Sequence, residues 1–252
     1  MQTPKIITLT NDNITTEHIC CGFADKNCTD GYEAKKQWLS QQFNDGYTFK
    51  KFDIRGKVFI SYTRAEKAWS PIEAQGYMLI DCFWVSGQYK GKGFGKKLLE
   101  ECLADAKGMN GIVAISSSKK QPFLSDIKFF TMQGFQVCDT AEPYFELLYL
   151  PLKKDAPKPK FKECCKQGEC DNADGLTLYY TNGCPFTEYY TAELQVIAEE
   201  RGHKIKRIKI ENRQQAQNHF CPFTIYSLFS NGKFVTQQIL SEKSFIKIVE
   251  GN

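Results

Sequence analysis

The sequence predicts an α/β protein in which a mixed β-sheet flanked by helices is followed by a second, smaller α/β unit. Three observations carry that expectation. Two runs, "GYMLIDCFWVS" from Gly76 and "GIVAISSS" from Gly111, are too continuously apolar to have a wet face, so they read as strands buried on both sides. The first of them leads into a glycine-rich loop and then an amphipathic helix. Further on, "PLKKDAPKPKFK" (151–162) has no apolar period, and beyond it the chain reads β-α-β-α-β-β-α.

The elements follow in order. "KIITLT" is a short strand. "GYEAKKQWLSQQFNDG", from Gly31, is a helix stopped by glycine. "YTFKKFDIRGKVFISYT" is a hairpin of two β-rich runs around Arg55-Gly56. The buried strand from Gly76 comes next. In the helix after its loop, Phe94, Leu98, Leu99, Cys102 and Ala106 form one stripe. "GIVAISSS" is the second buried strand, and "LSDIKFFTMQGF" is a short helix ending at Gly134. Strands near 135–139 and 144–150 close the first unit. Helices on the faces of a mixed sheet give such strands their cover.

The boundary falls near Lys158, because a proline- and lysine-rich stretch reads as an extended linker. The expected units are 1–152, a joining segment with a cysteine cluster over 153–174, and 175–252. In the last, "GLTLYYTNGCPFTEYYTAELQVIAEERG" reads strand, turn, helix. "HKIKRIKI" is a strand and "ENRQQAQNHF" is helical. "CPFTIYSLFSNGKFVTQQIL" is a hairpin turning at Asn231-Gly232, and "SEKSFIKIVEGN" is the last helix.

Composition narrows the function classes. The chain has 252 residues, 42% hydrophobic and 13% aromatic, enough for a large core. Net charge is +4, and no polybasic run favours nucleic acid or an anionic membrane. No run of 18 apolar residues suggests a membrane span, and the N-terminal residues lack the apolar core of a signal peptide. A cytoplasmic location is expected. The eleven cysteines are then mostly free thiols rather than a disulfide framework.

The loop "VSGQYKGKGFGKKLLEEC" (85–102) is the main chemical signal. Its glycines let backbone approach a ligand closely. The helix behind it begins with unpaired N–H groups and the positive end of a dipole, which suits a phosphate or pyrophosphate. Lys90, Lys92, Lys96 and Lys97 add positive charge at the rim. The string is neither G-x-x-x-x-G-K-[ST] nor G-x-G-x-x-G; its spacing is G-x-G-x-G.

Gln88-Tyr89-Lys90-Gly91-Lys92-Gly93, directly after a strand ending Phe83-Trp84-Val85, resembles the acyl-CoA loop of the GNAT acetyltransferases, [RQ]-x-x-G-x-[GA]. "KFFTMQGF" (128–135) resembles the helix-to-strand signature that follows in that family, and the likeness spans roughly residues 5–150. With "AWSPIEAQGYM" and "CFWVSGQYKGKG", the whole looks like the family's YoaP-like type. The resemblance implies acetyl-CoA as co-substrate and a small-molecule or peptide amine as acceptor. It implies that Phe83, Trp84 and Val85 pair with the pantetheine arm through their backbone. Gln88, Lys90, Gly91, Lys92, Gly93, Phe94, Gly95 and Lys96 would cradle the pyrophosphate. No metal is expected, and the sequence leaves the oligomeric state open.

Acetyl transfer requires an ammonium to lose a proton and a thiolate to depart. Asp81, in the strand before the loop, is the candidate base; the competing reading is a carboxylate paired inside the sheet. Ser117, or its neighbours Ser116 and Ser118, could hydrogen-bond the thiolate. Many members of the family donate from a tyrosine four residues before the signature glycine, where this chain has Phe130. That departure keeps a second reading open, a protein that holds acyl-CoA or senses thiols without turnover.

The second unit resembles the thioredoxin fold, with Cys184-Pro185-Phe186-Thr187 where that family keeps its redox motif at a helix start. Thr187 replaces the second cysteine, so Cys184 would act alone with a lowered pKa, or the site is retired. Pro222 resembles that family's cis-proline, which would set Cys221 beside Cys184 as a possible thiol site. Cys164, Cys165 and Cys170 lack zinc-knuckle spacing.

Overall fold

A computed structural model describes residues 4–251; Met1, Gln2, Thr3 and Asn252, at the ends of the two expected units, lie outside the described residues. The chain opens with β1 (Ile6–Leu9), α1 (Thr29–Phe43), β2 (Thr48–Phe52), β3 (Val58–Arg64) and β4 (Ile72–Glu73). It continues through β5 (Tyr77–Val85), α2 (Phe94–Asp105), β6 (Gly111–Ser117), α3 (Ile127–Met132), β7 (Gln136–Ala141) and β8 (Phe145–Pro151). After β9 (Lys160–Phe161) come β10 (Leu176–Tyr180), α4 (Thr187–Glu200), β11 (Ile205–Lys209) and α5 (Arg213–Gln217). β12 (Tyr226–Ser230), β13 (Lys233–Thr236) and α6 (Glu242–Phe245) complete it.

Seven strands form one mixed sheet in the order β1-β2-β3-β5-β6-β8-β7, which puts the two apolar strands β5 and β6 near its middle. β5 and β6 are its one parallel pair among the described residues. The α2 stripe packs on one face: Leu98, Leu99, Cys102 and Ala106 are buried in a core with Ile60, Ile80 and Ala114. A four-stranded sheet, β11-β10-β12-β13, forms the second unit. Its hairpin turns at Asn231 and Gly232, whose φ angles of 49° and 81° supply the left-handed pair such a turn needs.

The joining segment is only partly an open linker. Residues 151–155 are exposed, but β9 pairs antiparallel with β4, Ile72 opposite Phe161. Phe161 and Cys165 are buried in a cluster that also holds Leu79 and Phe145 of the first sheet and Cys221 and Phe229 of the second unit. An aromatic residue two positions past the last proline brought the chain back into the core, which the lysine-rich composition hid. The two units also share polar contacts: Thr224 donates to the Trp69 carbonyl at 2.6 Å and Gln217 to the Ala68 carbonyl at 2.9 Å. Gly31 on α1 lies so close to Pro185 that a Cβ there would sit 2.2 Å from the Pro185 carbonyl oxygen.

The cis-proline expected at Pro222 is absent. Glu142-Pro143 is the one cis peptide among the described residues, so the bond before Pro222 is trans. Among the same residues, no helix is long and apolar enough to cross a membrane.

Candidate active site

The site starts from a defect in the sheet. Along β3 and β5 the register shifts: Ser61 faces Cys82 and Tyr62 faces Ile80, leaving Asp81 as the extra residue of a bulge. Bulges bend a strand and re-aim a side chain. Beyond that point β5 and β6 separate. Their parallel pairing runs from Tyr77↔Gly111 to Ile80↔Ala114 and stops. β5 continues to Val85 paired only with β3, and β6 continues to Ser117 paired only with β8. The edge of residues 81–85 that faces β6 therefore has no strand partner. Backbone groups on such an edge seek hydrogen bonds, and an extended ligand can supply them.

The glycine loop begins where this open edge ends. Gly91 and Gly93 have φ angles of 73° and 79°, and a Cβ at either would meet no protein atom within 4 Å. Gly93 caps α2 without a side-chain hydrogen bond, and the first bond into the helix is Lys97 N–H to the Gly93 carbonyl. The N–H groups of Phe94, Gly95 and Lys96 thus precede the helix ladder and open outward. Lys90, Lys92 and Lys96 are exposed, and none joins an ion pair among the described residues. Phe83 stacks on Phe129 at 4.8 Å, while Trp84 is 44% exposed at the mouth.

Behind the splay lies a cavity of about 140 Å³. β5 lines one side with Leu79 to Trp84; Lys57 and Phe59 reach in from β3 and its start. The opposite wall comes from the second unit, 183–186 and 222–225. Lys57 stands over the Phe186 ring at 5.4 Å, joining the walls.

Asp81 is half-buried and faces this cavity. Burial raises its pKa above the usual carboxylate value, against the opposing hydrogen bond from Tyr47 and the charge of Lys35. The Tyr47 hydroxyl lies 2.6 Å from Asp81 Oδ2 and 2.9 Å from Ser61 Oγ. Burial, followed by the Asp81 charge, holds Tyr47 well above the ordinary phenol value, so it remains a donor. Asp81 is thus a carboxylate paired in the sheet through Tyr47 and also one that faces the cavity.

The serine expectation meets committed hydroxyls. Ser117 Oγ donates to the Lys119 carbonyl at 2.7 Å and Ser116 Oγ to the Ser125 carbonyl at 2.8 Å, and neither lines the cavity. Phe130 is fully buried against Phe83 and Phe135.

The two thiols have different surroundings. Cys184 lines the cavity with Cys21 and Cys82, whereas Cys221 is buried in the shared core, in one cluster with Cys165. Cys184 does not have the lowered pKa expected of a helix start. Burial pushes it up to about 11, and nearby Lys35 offsets only part of that. All eleven cysteines are free, and among the described residues no group of three His, Cys, Asp or Glu side chains could hold a metal.

Sequence reasoning missed Lys35 and Tyr47. Lys35 had a readable signal. It occupies the buried stripe of α1 with Gly31, Trp38, Leu39 and Gln42, an unusual place for an ammonium.

The profile described as "Acetyltransferase (GNAT) family" matches residues 13–135, and the one described as "YoaP-like" matches residues 204–247. The "uncharacterized N-acetyltransferase YoaP" of Bacillus subtilis (strain 168) is 40% identical over 245 residues, covering 96% of this chain and 97% of that one. Among solved structures, an acetyltransferase from Thermus thermophilus aligns with a TM-score of 0.41 at 13% identity, over 60% of this chain and 98% of that one. The Escherichia coli GNAT N-acetyltransferase YhbS, in complex with CoA, aligns with a TM-score of 0.40 at 13% identity, over 65% and 92%.

Proposed function

We propose, on the premise that this chain belongs to the YoaP-like GNAT N-acetyltransferases, that it transfers an acetyl group from acetyl-CoA to a small amine held between its two units. The observation that carries this reading is the continuity from splayed strand to glycine loop to uncapped helix. The pyrophosphate meets the N–H groups of the loop 90–96 and the lysines around it. The pantetheine arm lies along the open edge of residues 81–85 and delivers the thioester to the splay. There the cavity holds the amine.

Asp81 takes the proton from the amine, and its raised pKa brings it nearer the range where a base works well. The nitrogen pair attacks the thioester carbonyl, the C–S bond breaks, CoA leaves as its thiolate, and the nitrogen gives up its second proton to water as the amide forms. Phe130 offers that sulfur no proton, but a thiolate is a fair leaving group near neutral pH. The same phenylalanine favours the second reading, binding without turnover.

We read the second unit as thioredoxin-like, supported by the parallel β10–β11 pair, the antiparallel β10–β12–β13 set and Cys184 just ahead of α4. We take its part here as the wall of the acceptor cavity rather than as a redox centre, with unit limits at 152 and 175. A cytoplasmic setting agrees with eleven free thiols.

The test is incubation with acetyl-CoA and a panel of amines. Free CoA is quantified by chromatography, since the chain's own eleven cysteines would react with thiol reagents. Amine-dependent CoA release with an acetylated product is expected. Stoichiometric acetyl-CoA binding with no release for any amine would establish the binding-only reading instead.

A further inference from the structure

Lys35 is 4% exposed, sits on the apolar stripe of α1 and lines the cavity. Among the described residues it enters no ion pair and makes no hydrogen bond; its closest recorded partner is the Phe49 ring, 6.0 Å from Nζ. An ammonium taken out of water with no anion is expensive, so such a group ordinarily acquires a counter-charge or loses its proton. Burial opposes the Lys35 charge, and of the groups around it Asp81 is the carboxylate that favours it.

Those neighbours do not supply a partner. Burial pushes the thiols of Cys82 and Cys184 up, Cys184 to about 11, so they are neutral near pH 7. Asp81 is the one carboxylate on the cavity wall, and it accepts its hydrogen bond from Tyr47. The cavity therefore presents a buried ammonium with unused donors, a carboxylate poised to receive a proton, Lys57 turned to the Phe186 ring at 5.4 Å, and otherwise mostly apolar walls such as Phe59, Ile115, Leu124 and Phe223. Its volume of about 140 Å³ is close to that of a cavity that encloses a benzene ring.

We propose that the acceptor is a small amino-acid-like amine, with its carboxylate on Lys35, its amine toward Asp81 and an apolar side chain in the cavity. This rests on the acetyltransferase reading for what happens to the amine, but not for what the cavity selects. A zwitterion fits where a plain alkylamine does not. The alkylamine would leave the Lys35 donors unused and bring a further cation into a space that Lys35 and Lys57 already line.

The experiment uses the full chain and matched pairs: leucine against 3-methylbutan-1-amine, and phenylalanine against 2-phenylethylamine. Transfer is read as kcat/KM with acetyl-CoA, and binding is read separately by calorimetry. The carboxylated member of each pair is expected to be favoured by about 10- to 100-fold, the range of a charge-assisted hydrogen bond. In Lys35→Met that ratio should fall to near one, while Lys35→Arg should retain most of it. A wild-type ratio near one, a preference for the plain amines, or a ratio that survives in Lys35→Met would overturn the proposal. Carboxylate-selective, Lys35-dependent binding without transfer would sustain it while removing the acetyltransferase reading. Neither binding nor transfer of any carboxylated amine would overturn it.

Discussion

Two corners of this molecule share one local plan, a strand that ends in a tight turn and starts a helix, and they have opposite chemistry. At the first, β5 leads through Gly91 and Gly93 into α2. The turn is exposed, the helix start has no side-chain cap, and lysines surround it. At the second, β10 leads through Cys184-Pro185-Phe186 into α4. This turn is walled in by Gly31 of α1, and the Thr187 hydroxyl already bonds the Thr181 and Cys184 carbonyls at 2.6 and 2.8 Å. A helix start favours an anion only where the anion remains solvated or meets free donors. Enclosure reverses the outcome: the Cys184 thiol is harder to ionise than an ordinary one.

Removing the base at the foot of the first corner should have the largest effect. Asp81→Asn is expected to lower kcat about 10²- to 10⁴-fold with acetyl-CoA affinity preserved. Tyr47→Phe sharpens the assignment. The Tyr47 hydrogen bond lowers the Asp81 pKa, so its loss should move the acid limb of kcat/KM to higher pH. A base must be deprotonated to act, and hence the activity of this variant should begin to fall at a less acidic pH than wild type. An unmoved limb would detach Asp81 from the chemistry.

Gly93→Val tests the turn itself. The φ of 79° strains a β-branched residue, and the new side chain would point into space that no protein atom fills. Acetyl-CoA binding is expected to weaken by roughly 100-fold in calorimetry, with the fold retained. An unchanged dissociation constant would move the pyrophosphate elsewhere.

The first corner was legible in the sequence and the second was not, for a physical reason. Glycine spacing, flanking strand apolarity and helix period are local, and they placed β5, the loop and α2. Whether a turn faces solvent depends on what packs over it. Nothing near Cys184 announces that α1, some 150 residues earlier, covers it. For the same reason the pairing of Cys184 with Cys221 could not be judged from spacing, and the two fall in different apolar clusters. The bulge at Asp81 was hidden too, because an extra residue in one strand shows only against its partner. Lys35 lay within reach, as a charge on a helical stripe that includes Trp38 and Leu39.

Alkylation compares the corners at smaller scale. With a pKa of about 11, roughly one Cys184 in ten thousand is thiolate at pH 7. Peptide mapping with iodoacetamide should find it labelled about tenfold or more slowly than the exposed Cys164. Faster labelling at Cys184 would restore the reactive-thiol reading and break the contrast. Cys184→Ala should leave acetyl-CoA affinity unchanged and shift stability by about 1 kcal/mol.

Stability compares the two units without the reaction, and they should answer acid in opposite directions. In the second, His219 is 2% exposed, bonded to Ser227 Oγ at 2.8 Å, and burial lowers its pKa from 6.5 to about 3. The unfolded chain takes up that proton first, so its contribution is complete above pH 6.5 and declines as pH falls toward 3, by about 1.4 kcal/mol per unit. Asp81 has the reverse sign. Its folded pKa is raised above 3.8, so it is least costly when protonated and destabilises as pH rises through the raised value. His219→Gln should therefore flatten the acid slope of unfolding free energy, and Asp81→Asn should stabilise the protein at pH 7 with a gain that fades in acid. Denaturant titrations of both variants and wild type between pH 4 and 8 read the two slopes directly. If both variants shift the curve in the same direction with pH, burial does not act on these two groups in opposite senses, and the proposed assignment of a neutral histidine to one unit and a poised carboxylate to the other fails.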